Sequence, residues 1–469
     1  MPNAKRRKIL VFTEGKIKSM KKNDVLELKI HDLNNLGMGV AKAPDGRAVF
    51  VGGAVDGDVV SAKIIKVAAD YGVARIESII TPSAHRIESD CPVSKRCGGC
   101  VYRNISYTHE KELKENYVRH VFKKAGIDDA VINKVLTASV ENYRNKVQYP
   151  FSKELDVGFY ANHTHTVISG THDCRLQNPA FEPVIDTVVD FVKSKKLEPY
   201  DETTGKGLLR HLFLRIGEKT GQIMVMLVIN GEKLPFADQF CKILTEKHKN
   251  VVSVMINVNK SRSNVILSPD CRTLLGKNYI EDELCGVRLK ISALSFYQVN
   301  RSAAEMLYRK AAELADLQNG DRLLDLFCGV GSVGLSMKNI AKTEFSAEIS
   351  LKGVEIIEDA VKAARENASL SGLDGEFICS DANGAELENC DIVVLDPPRK
   401  GVERRLIEQI AEKNVTRVVY ISCGPDTLAR DCKIFRELGY KMSEVYLFDL
   451  FPRTGHVESV VCLTRRLDN

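Results

Sequence analysis

The chain has 469 residues, 44% of them hydrophobic and 28% charged, which is typical of a globular protein with roughly two to four domains. No run of about 18 uncharged apolar residues occurs, and the basic segment 1–12 lacks the apolar core of a secretory signal. These features argue against a membrane-spanning or exported protein, so we expect a soluble, cytosolic one.

The positive charge is concentrated at the N-terminus. The formal net charge is +5, and residues 1–30 contain nine Lys or Arg against three acidic residues. A basic end on a near-neutral body is typical of proteins that bind a polyanion, although a solvated tail has the same composition.

Residues 20–80 predict a small all-β domain. The segments 25–30, 48–51 and 59–67 are strand-like runs that glycines separate. About five short strands over this length fit an OB-like barrel, a common nucleic-acid-binding shape. A barrel without a binding role is the alternative.

Three of the thirteen cysteines are clustered. Cys91, Cys97 and Cys100 have the spacing C-x5-C-x2-C, with two glycines that let the backbone wrap closely around a ligand. Three clustered cysteines plus a remote one favour an iron–sulfur centre, and Cys174 is the best candidate for the fourth ligand. A zinc site and a metal-free thiol cluster are the alternatives.

The central region combines helices and strands without a nucleotide-binding motif. Residues 107–125 predict a charged helix, and strands and helices alternate over 136–295. Arg and aromatic residues interleave at 143–146 and at 209–215, which suits contacts to phosphates and bases. A solvated strand edge is the alternative for both segments.

From residue 320 the pattern predicts an α/β domain with an open, mostly parallel, doubly wound sheet. The predicted strands are 321–327, 352–355, 376–380, 391–395, 417–422, 445–451 and 458–464.

Acidic residues mark the ends of the first three of these strands. Asp325 precedes a glycine-rich turn, Glu355 is placed to accept hydrogen bonds from ribose hydroxyls, and Asp381 from an adenine amino group. An acid at each of three successive strand ends is the pattern expected for S-adenosylmethionine. A dinucleotide site and a plain α/β domain are the alternatives.

The next strand ends carry residues suited to chemistry. Asp396 opens Asp-Pro-Pro-Arg after the fourth strand, and Cys423 follows the fifth in Ser-Cys-Gly-Pro. Because Cys423 opens a turn before a helix, we expect its thiolate to be favoured. A small residue at a strand end is the alternative for Cys423, and a surface position is the alternative for Glu458.

These motifs resemble those of the RNA uracil-C5 methyltransferase family, and within it the bacterial 23S rRNA enzymes with an N-terminal TRAM domain and an iron–sulfur cluster. The resemblance spans about residues 20–465. Besides the four cysteines it rests on Phe-Tyr-Gln-Val-Asn at 296–300, Asp-Leu-Phe-Cys-Gly at 325–329, Asp-Pro-Pro-Arg at 396–399, Ser-Cys-Gly at 422–424 and His-Val-Glu at 456–458.

The resemblance implies methylation of uracil C5 in 23S rRNA, by a monomer that does not bind membranes. Cys423 matches the nucleophile that adds to uracil C6, and Glu458 matches the proton acceptor. We expect Arg399 to stabilise the charge that develops on O4. The implied methyl-donor site contains Gln298, Phe327, Glu355 and Asp396.

By the same resemblance Cys91, Cys97, Cys100 and Cys174 match the ligands of a 4Fe–4S cluster. The implied domains are a basic tail at 1–19, a TRAM OB-like barrel at 20–80, a central iron–sulfur and RNA-binding α+β domain at 81–295, and a Rossmann-like methyltransferase domain at 296–469. One departure is the long stretch 338–352 before Glu355, which leaves the start of the second strand open.

Three alternatives differ in substrate or class. A tRNA uracil-C5 methyltransferase is expected to lack the barrel and the cluster. A cytosine-C5 enzyme usually has Pro before the cysteine, where this chain has Ser422. A non-catalytic iron–sulfur RNA-binding protein has no need of Cys423 and Glu458.

Overall fold

The computed structural model describes residues 19–465, which form two compact units. The first unit contains the described residues up to Tyr117 together with Arg453–His456, and the second contains the remainder. The predicted basic tail, apart from its last residue, lies outside the described residues. The domain boundaries predicted from the sequence stay a prediction. Among residues 19–465, each helix is too short or too polar to cross a lipid bilayer.

A six-stranded sheet forms most of the described part of the first unit. The strand order is β1-β5-β6-β4-β3-β2, and neighbours are antiparallel except β4 and β6. Alternate residues of β1 and β3 point into an apolar core because side chains change face at each residue along a strand. The strands are β1 (Val25–Lys29), β2 (Asp32–Leu33), β3 (Met38–Lys42), β4 (Ala48–Gly52), β5 (Val59–Val67) and β6 (Tyr71–Thr81).

A buried carboxylate fastens the segment that leaves this sheet. Asp58 is fully buried and accepts hydrogen bonds from the backbone N–H groups of Val55 and Ser83, at 2.7 and 2.8 Å. Its charge is balanced by an ion pair with Arg86. The chain then runs through the cysteine-bearing loop 82–106 into α1 (Tyr107–Lys124), which confirms the helix predicted for 107–125.

The second unit contains a five-stranded sheet with the order β14-β13-β12-β11-β8, which packs on α2 and α3. Two hairpins belong to the same region: β9 with β10 lies between β8 and β11 in the chain, and β15 with β16 follows β14. The elements are β7 (Ile132–Leu136), β8 (Lys146–Pro150), β9 (Gly158–Tyr160), β10 (Val167–Ser169), α2 (Glu182–Ser194), β11 (Leu209–Ile216), β12 (Ile223–Ile229), α3 (Ala237–Lys247), β13 (Val251–Val258), β14 (Cys271–Gly276), β15 (Tyr279–Leu284) and β16 (Val287–Ser292).

Strand β11 contradicts both interpretations of segment 209–215, as nucleic-acid contacts and as a solvated edge. Its eight residues are all buried, between β12 and β8. Arg210 donates to the carbonyls of Asn259 and Ser261, and Arg215 donates to those of Ser292 and Ser295. Both arginines therefore bind loop carbonyls inside the protein, where an unpaired charge is costly.

The remaining strands, together with β7, form the predicted α/β sheet. Its strand order is β19-β18-β17-β20-β21-β24-β23-β7, and β22 pairs with β24 beside this path. Strands β17 to β21 are parallel, whereas β24 is antiparallel to β21 and β23. The elements are α4 (Arg301–Ala315), β17 (Arg322–Leu326), α5 (Ser332–Glu344), β18 (Ser350–Glu355), α6 (Glu358–Leu370), β19 (Glu376–Cys379), β20 (Ile392–Leu395), α7 (Arg404–Glu412), β21 (Arg417–Ser422), α8 (Pro425–Glu437), β22 (Lys441–Met442), β23 (Val445–Phe448) and β24 (Glu458–Thr464).

The stretch 338–352, which departs from the family pattern, contains the second half of α5, a short loop and the start of β18. Lys338 is 4% exposed and pairs with Asp374 at 2.6 Å, so even this polar segment packs against the domain. Glu355 is the last residue of β18, as predicted.

Candidate active site

The parallel strands of the α/β sheet end side by side. Leu326 of β17 lies opposite Val354 of β18 and Leu395 of β20. Leu395 lies opposite Tyr420 of β21. Ligands bind at this carboxyl edge in open α/β sheets. The residues at or just beyond these strand ends are Phe327, Glu355, Asp396 and Cys423.

The antiparallel direction of β24 brings Glu458 to the same edge. Ser459 of β24 lies opposite Ser422 of β21. Since the two strands run in opposite directions, Glu458 precedes Ser459 at the edge where Cys423 follows Ser422. The predicted nucleophile and the predicted base therefore come from neighbouring strands.

Two carboxyl groups near Cys423 have strongly raised pKa values. Burial raises the pKa of Glu458 to about 8, the charge of Asp396 acts in the same direction, and Arg399 opposes both. Burial also raises the pKa of Asp396 to about 7, although part of this residue reaches the surface. A carboxyl group that titrates near neutral pH is suited to general acid–base catalysis.

The thiol of Cys423 is also shifted toward its neutral form. Burial raises its pKa to about 11, Glu458 and Asp396 add to the effect, and Arg399 lowers it. Burial and two nearby carboxyl groups therefore favour the neutral thiol, against the expectation that the turn before α8 favours the thiolate. Ionisation of Cys423 depends on positive charge, and the guanidinium of Arg399 supplies some of it.

Glu355 organises the glycine-rich turn after β17. Its two carboxylate oxygens accept hydrogen bonds from the N–H groups of Gly329, at 3.1 Å, and Ile357, at 3.0 Å. Phe327 has φ of +67°, a strained value for a residue with a side chain. Such strain is concentrated at ligand sites, which agrees with the predicted role of this turn.

Asp325 differs from the other strand-end acids. It is fully buried in β17 and accepts a 2.8 Å hydrogen bond from the N–H of Gly334 in the first turn of α5. Burial raises its pKa to about 8. Its second oxygen is buried without a hydrogen-bond partner among the described residues. Asp325 therefore ties the first turn of α5 to β17, and its burial differs from the ligand-facing strand end that the sequence pattern predicts.

Two exposed isoleucines beside Glu355 were not predicted from the sequence as site residues. Ile356 is 64% and Ile357 is 60% exposed, directly after Glu355. Contiguous exposed apolar surface is one mark of a ligand-binding groove. The sequence feature that could have identified these two residues is an apolar pair directly after an acidic strand end.

The other two predicted donor-site residues lie in loops. Gln298 is 9% exposed, and its backbone carbonyl accepts a 2.9 Å hydrogen bond from the side chain of Asn145. Two residues later Asn300 caps α4 by accepting from the N–H of Ala303. Asp381 is exposed after β19 and accepts two hydrogen bonds from Asn383, both at 2.8 Å.

The predicted cluster cysteines divide between the two units. Cys91, Cys97 and Cys100 are half-buried in the loop 82–106, and Cys174 is half-buried in a turn before α2. The N–H of Gly99 donates to the sulfur of Cys97, at 3.4 Å. Burial raises the pKa of Cys97, with Cys91 acting in the same direction. An N–H donated to a cysteine sulfur is the kind of hydrogen bond that surrounds iron–sulfur clusters.

Comparison with known families resolves which proteins share this arrangement. The family model described as tRNA (uracil-5-)-methyltransferase matches residues 106–466, and the TRAM domain model matches residues 20–76. The chain belongs to the tRNA (uracil-5-)-methyltransferase family. As a member, it is an S-adenosylmethionine-dependent RNA uracil-5-methyltransferase with an N-terminal TRAM domain.

Relatives and a solved structure agree with this membership in the uracil-5-methyltransferase family. The chain is 37% identical to an uncharacterized RNA methyltransferase of Listeria monocytogenes over 95% of this chain and 98% of the relative. It is 36% identical to one from Clostridium tetani over 95% and 97%. The crystal structure of Pyrococcus abyssi tRNA (uracil-54, C5)-methyltransferase with S-adenosyl-L-homocysteine has a TM-score of 0.77 and 26% identity, covering 93% of this chain and 99% of that one.

The Pyrococcus structure overturns one expectation about this family. A match over 93% of the chain leaves too few residues unmatched to omit the N-terminal sheet. A tRNA-modifying member therefore has a counterpart of the barrel, so the barrel does not separate tRNA from rRNA enzymes.

The carboxyl edge fits the methyl donor of the uracil-5-methyltransferases. Glu355 offers acceptors for ribose hydroxyls, the exposed Ile356 and Ile357 offer apolar contact to adenine, and the desolvated Asp396 offers negative charge to a sulfonium. Burial of an uncompensated carboxyl group is unfavourable, and a cationic ligand relieves it.

Proposed function

We propose that this protein methylates C5 of a specific uridine in 23S rRNA through a covalent adduct between Cys423 and uracil C6. The observation that carries the proposal is the strand register, which supports placing Cys423 and Glu458 at one sheet edge beside Asp396. The choice of 23S rRNA rests on the resemblance of the cysteine spacing to that of the bacterial rRNA enzymes.

Each residue has a defined task in this mechanism. The sulfur of Cys423 bonds to C6, and the electron pair of the C5–C6 double bond makes C5 nucleophilic while charge develops on O4. Arg399 donates to O4. The bound S-adenosylmethionine supplies an electrophilic methyl group for C5. Glu458 then removes the C5 proton, the double bond re-forms, and Cys423 leaves as thiolate.

The donor-site residues position this chemistry. Glu355 and Asp381 bind the nucleoside part of the donor, and Gln298, Phe327 and Asp396 line the part that carries the methyl group. Because the target base in folded rRNA is stacked, it has to be splayed out to reach this edge.

We also assign Cys91, Cys97, Cys100 and Cys174 as the ligands of a 4Fe–4S cluster with a structural role. The spacing and the N–H donated to the sulfur of Cys97 support this assignment. Anaerobically purified protein is expected to be brown, with about four iron atoms per chain. Cys174→Ser should lose the iron. Stoichiometric zinc without iron in the wild type would refute the cluster.

A tRNA uracil-C5 methyltransferase is the second candidate function. The observation that favours it is the similarity to the Pyrococcus abyssi enzyme, which is a tRNA (uracil-54, C5)-methyltransferase. The chemistry at Cys423 and Glu458 is the same in both cases, so only the RNA differs.

Mapping of 5-methyluridine in a deletion strain separates the two substrates. We expect the deletion to remove the modification from 23S rRNA and leave tRNA unchanged. Wild-type protein supplied on a plasmid should restore it, and Cys423→Ala should not. Loss of the modification from tRNA alone would replace the rRNA assignment with the tRNA one.

A further inference from the structure

Two histidines and an aspartate meet in the first unit, and none of them belongs to the sites described above. Asp56 lies between β4 and β5, His85 follows β6, and His109 lies in the first turn of α1. One ligand atom from each residue lies within 4.8 Å of the others. Asp56 is half-buried, His85 is exposed and His109 is buried.

The contacts of His109 place negative charge at both ring nitrogens. Its Nε2 lies 2.8 Å from each carboxylate oxygen of Asp56, and its Nδ1 lies 3.1 Å from Oε2 of Glu112. The ring of His85 stacks on it, with centroids 3.6 Å apart and planes 6° apart. Carboxylate oxygens therefore lie against both nitrogens of one imidazole, and a metal ion at Nε2 would neutralise part of this negative charge.

We propose that Asp56, His85 and His109 bind a divalent transition-metal ion, with Zn²⁺ as the ion that fits best. Two imidazole nitrogens and one carboxylate oxygen, completed by water, form a ligand set that zinc accepts. Glu112 has the position of an outer carboxylate, because a metal-bound histidine usually donates its second N–H to such a group. Glu112 thereby fixes the tautomer in which Nε2 of His109 bears the lone pair.

Metal binding needs two small movements. Ligand atoms around a tetrahedral zinc ion are about 3.4 Å apart, so His109 and Asp56 must separate by about 0.6 Å from their present 2.8 Å. A metal ion lies in the plane of each ligating ring, so His85 must turn out of its parallel stack. The exposure of His85 leaves this rotation unobstructed.

The location of the site indicates its role. Residues 85–87 and 104–106 pair at the base of the cysteine-bearing loop, through the Arg86–Ile105 bridge and hydrogen bonds from Ser106 N to His85 O and Ile87 N to Asn104 O. His85 is the first residue of this pairing, and His109 follows shortly after its last residue, Ser106. An ion shared with Asp56 would fasten both ends of the loop to the sheet, independently of any metal at the cysteines.

The test is zinc binding by full-length protein as purified, stripped of loosely held metal and then titrated with ZnCl₂. The wild type should bind one more zinc per chain than His85→Ala. Because His85 is exposed, its loss should leave the thermal unfolding of the metal-stripped protein unchanged. Glu112→Gln should keep the stoichiometry but weaken binding about 10- to 100-fold, as expected for the outer partner of a ligating histidine.

His31→Ala is the matched control, since His31 is an exposed histidine of the same unit that lies outside the site. It should bind zinc as the wild type does. Co²⁺ separates this site from thiol sites, because nitrogen and oxygen ligands give d–d bands without thiolate charge transfer. Equal zinc binding by the wild type and His85→Ala would overturn the proposal and leave the contacts of His109 as hydrogen bonds within the protein.

Discussion

Replacement of Glu458 by Gln tests the division of labour at the active site. The side chain is 4% exposed, and its pKa of about 8 lies far above the ordinary 4.5. This difference corresponds to a cost on the order of 5 kcal/mol for the charged form in the folded protein. At pH 7 about a tenth of the molecules carry the ionised base, so the rate of proton removal should rise with pH up to about 8.

Glu458→Gln keeps the shape of the side chain but cannot accept the C5 proton. We expect turnover to fall by about 10²- to 10⁴-fold, the usual contribution of a general base. The thiolate can still add, so a methylated covalent protein–RNA adduct should accumulate. Because the folded state raises the pKa of this acid, its charge opposes folding above pH 4.5, and the variant should be no less stable than the wild type at pH 8.

The assay is denaturing gel electrophoresis of protein mixed with labelled RNA and S-adenosylmethionine, alongside single-turnover methyl transfer. The double variant Cys423→Ala/Glu458→Gln is the control and should give no adduct. Turnover by Glu458→Gln at near wild-type rate, with no adduct, would show that another group removes the proton.

Three further outcomes follow from the geometry. Cys423→Ala should abolish methyl transfer and adduct formation, and RNA with 5-fluorouridine at the target should trap the wild type but not this variant on a denaturing gel. Arg399→Gln should raise the pKa of Cys423 and Glu458 and so move the pH–rate profile to higher pH. Arg399→Lys keeps the positive charge and should move the profile less. Unchanged profiles in both variants would exclude Arg399 from the site. Asp58→Asn leaves Arg86 unpaired, so it should lower the free energy of unfolding by about 3–5 kcal/mol at pH 7 in urea titrations. This loss should shrink at acid pH, because the lowered pKa of Asp58 stabilises the fold fully above its ordinary value of 3.8, and this contribution disappears as the pH falls through the lowered value. A loss that did not vary with pH would refute the ion-pair argument.

The α/β sheet could be predicted because its strands are short apolar runs between recognisable turns. Strands β17, β21 and β24 match the predicted segments to within two residues at either end. The acidic and thiol residues beyond them were also predictable, because parallel strands bring their ends to one edge. The antiparallel direction of β24, which brings Glu458 to Cys423, depends on long-range pairing that no local pattern reveals.

The sequence misled where partners are distant in the chain. Arg210 and Arg215 looked like solvent-facing residues, yet their partners are carbonyls 49 to 80 residues away. The raised pKa of Cys423 could not be predicted for the same reason, because the carboxyl groups of Asp396 and Glu458 that contribute to it follow or belong to different strands. Local spacing predicts the backbone around such residues but not the burial and charge that tertiary packing adds.

The position of β24 in the sheet has a consequence for synthesis in the cell. This strand, Glu458–Thr464, comes after every other described strand in the chain, yet it pairs with β21 and β23 inside the sheet order. Chains fold from the N-terminus as they are made. The active edge therefore cannot close until β24 has been synthesised, and a nonsense mutation just before Glu458 would leave a gap in the sheet and no base at the nucleophile.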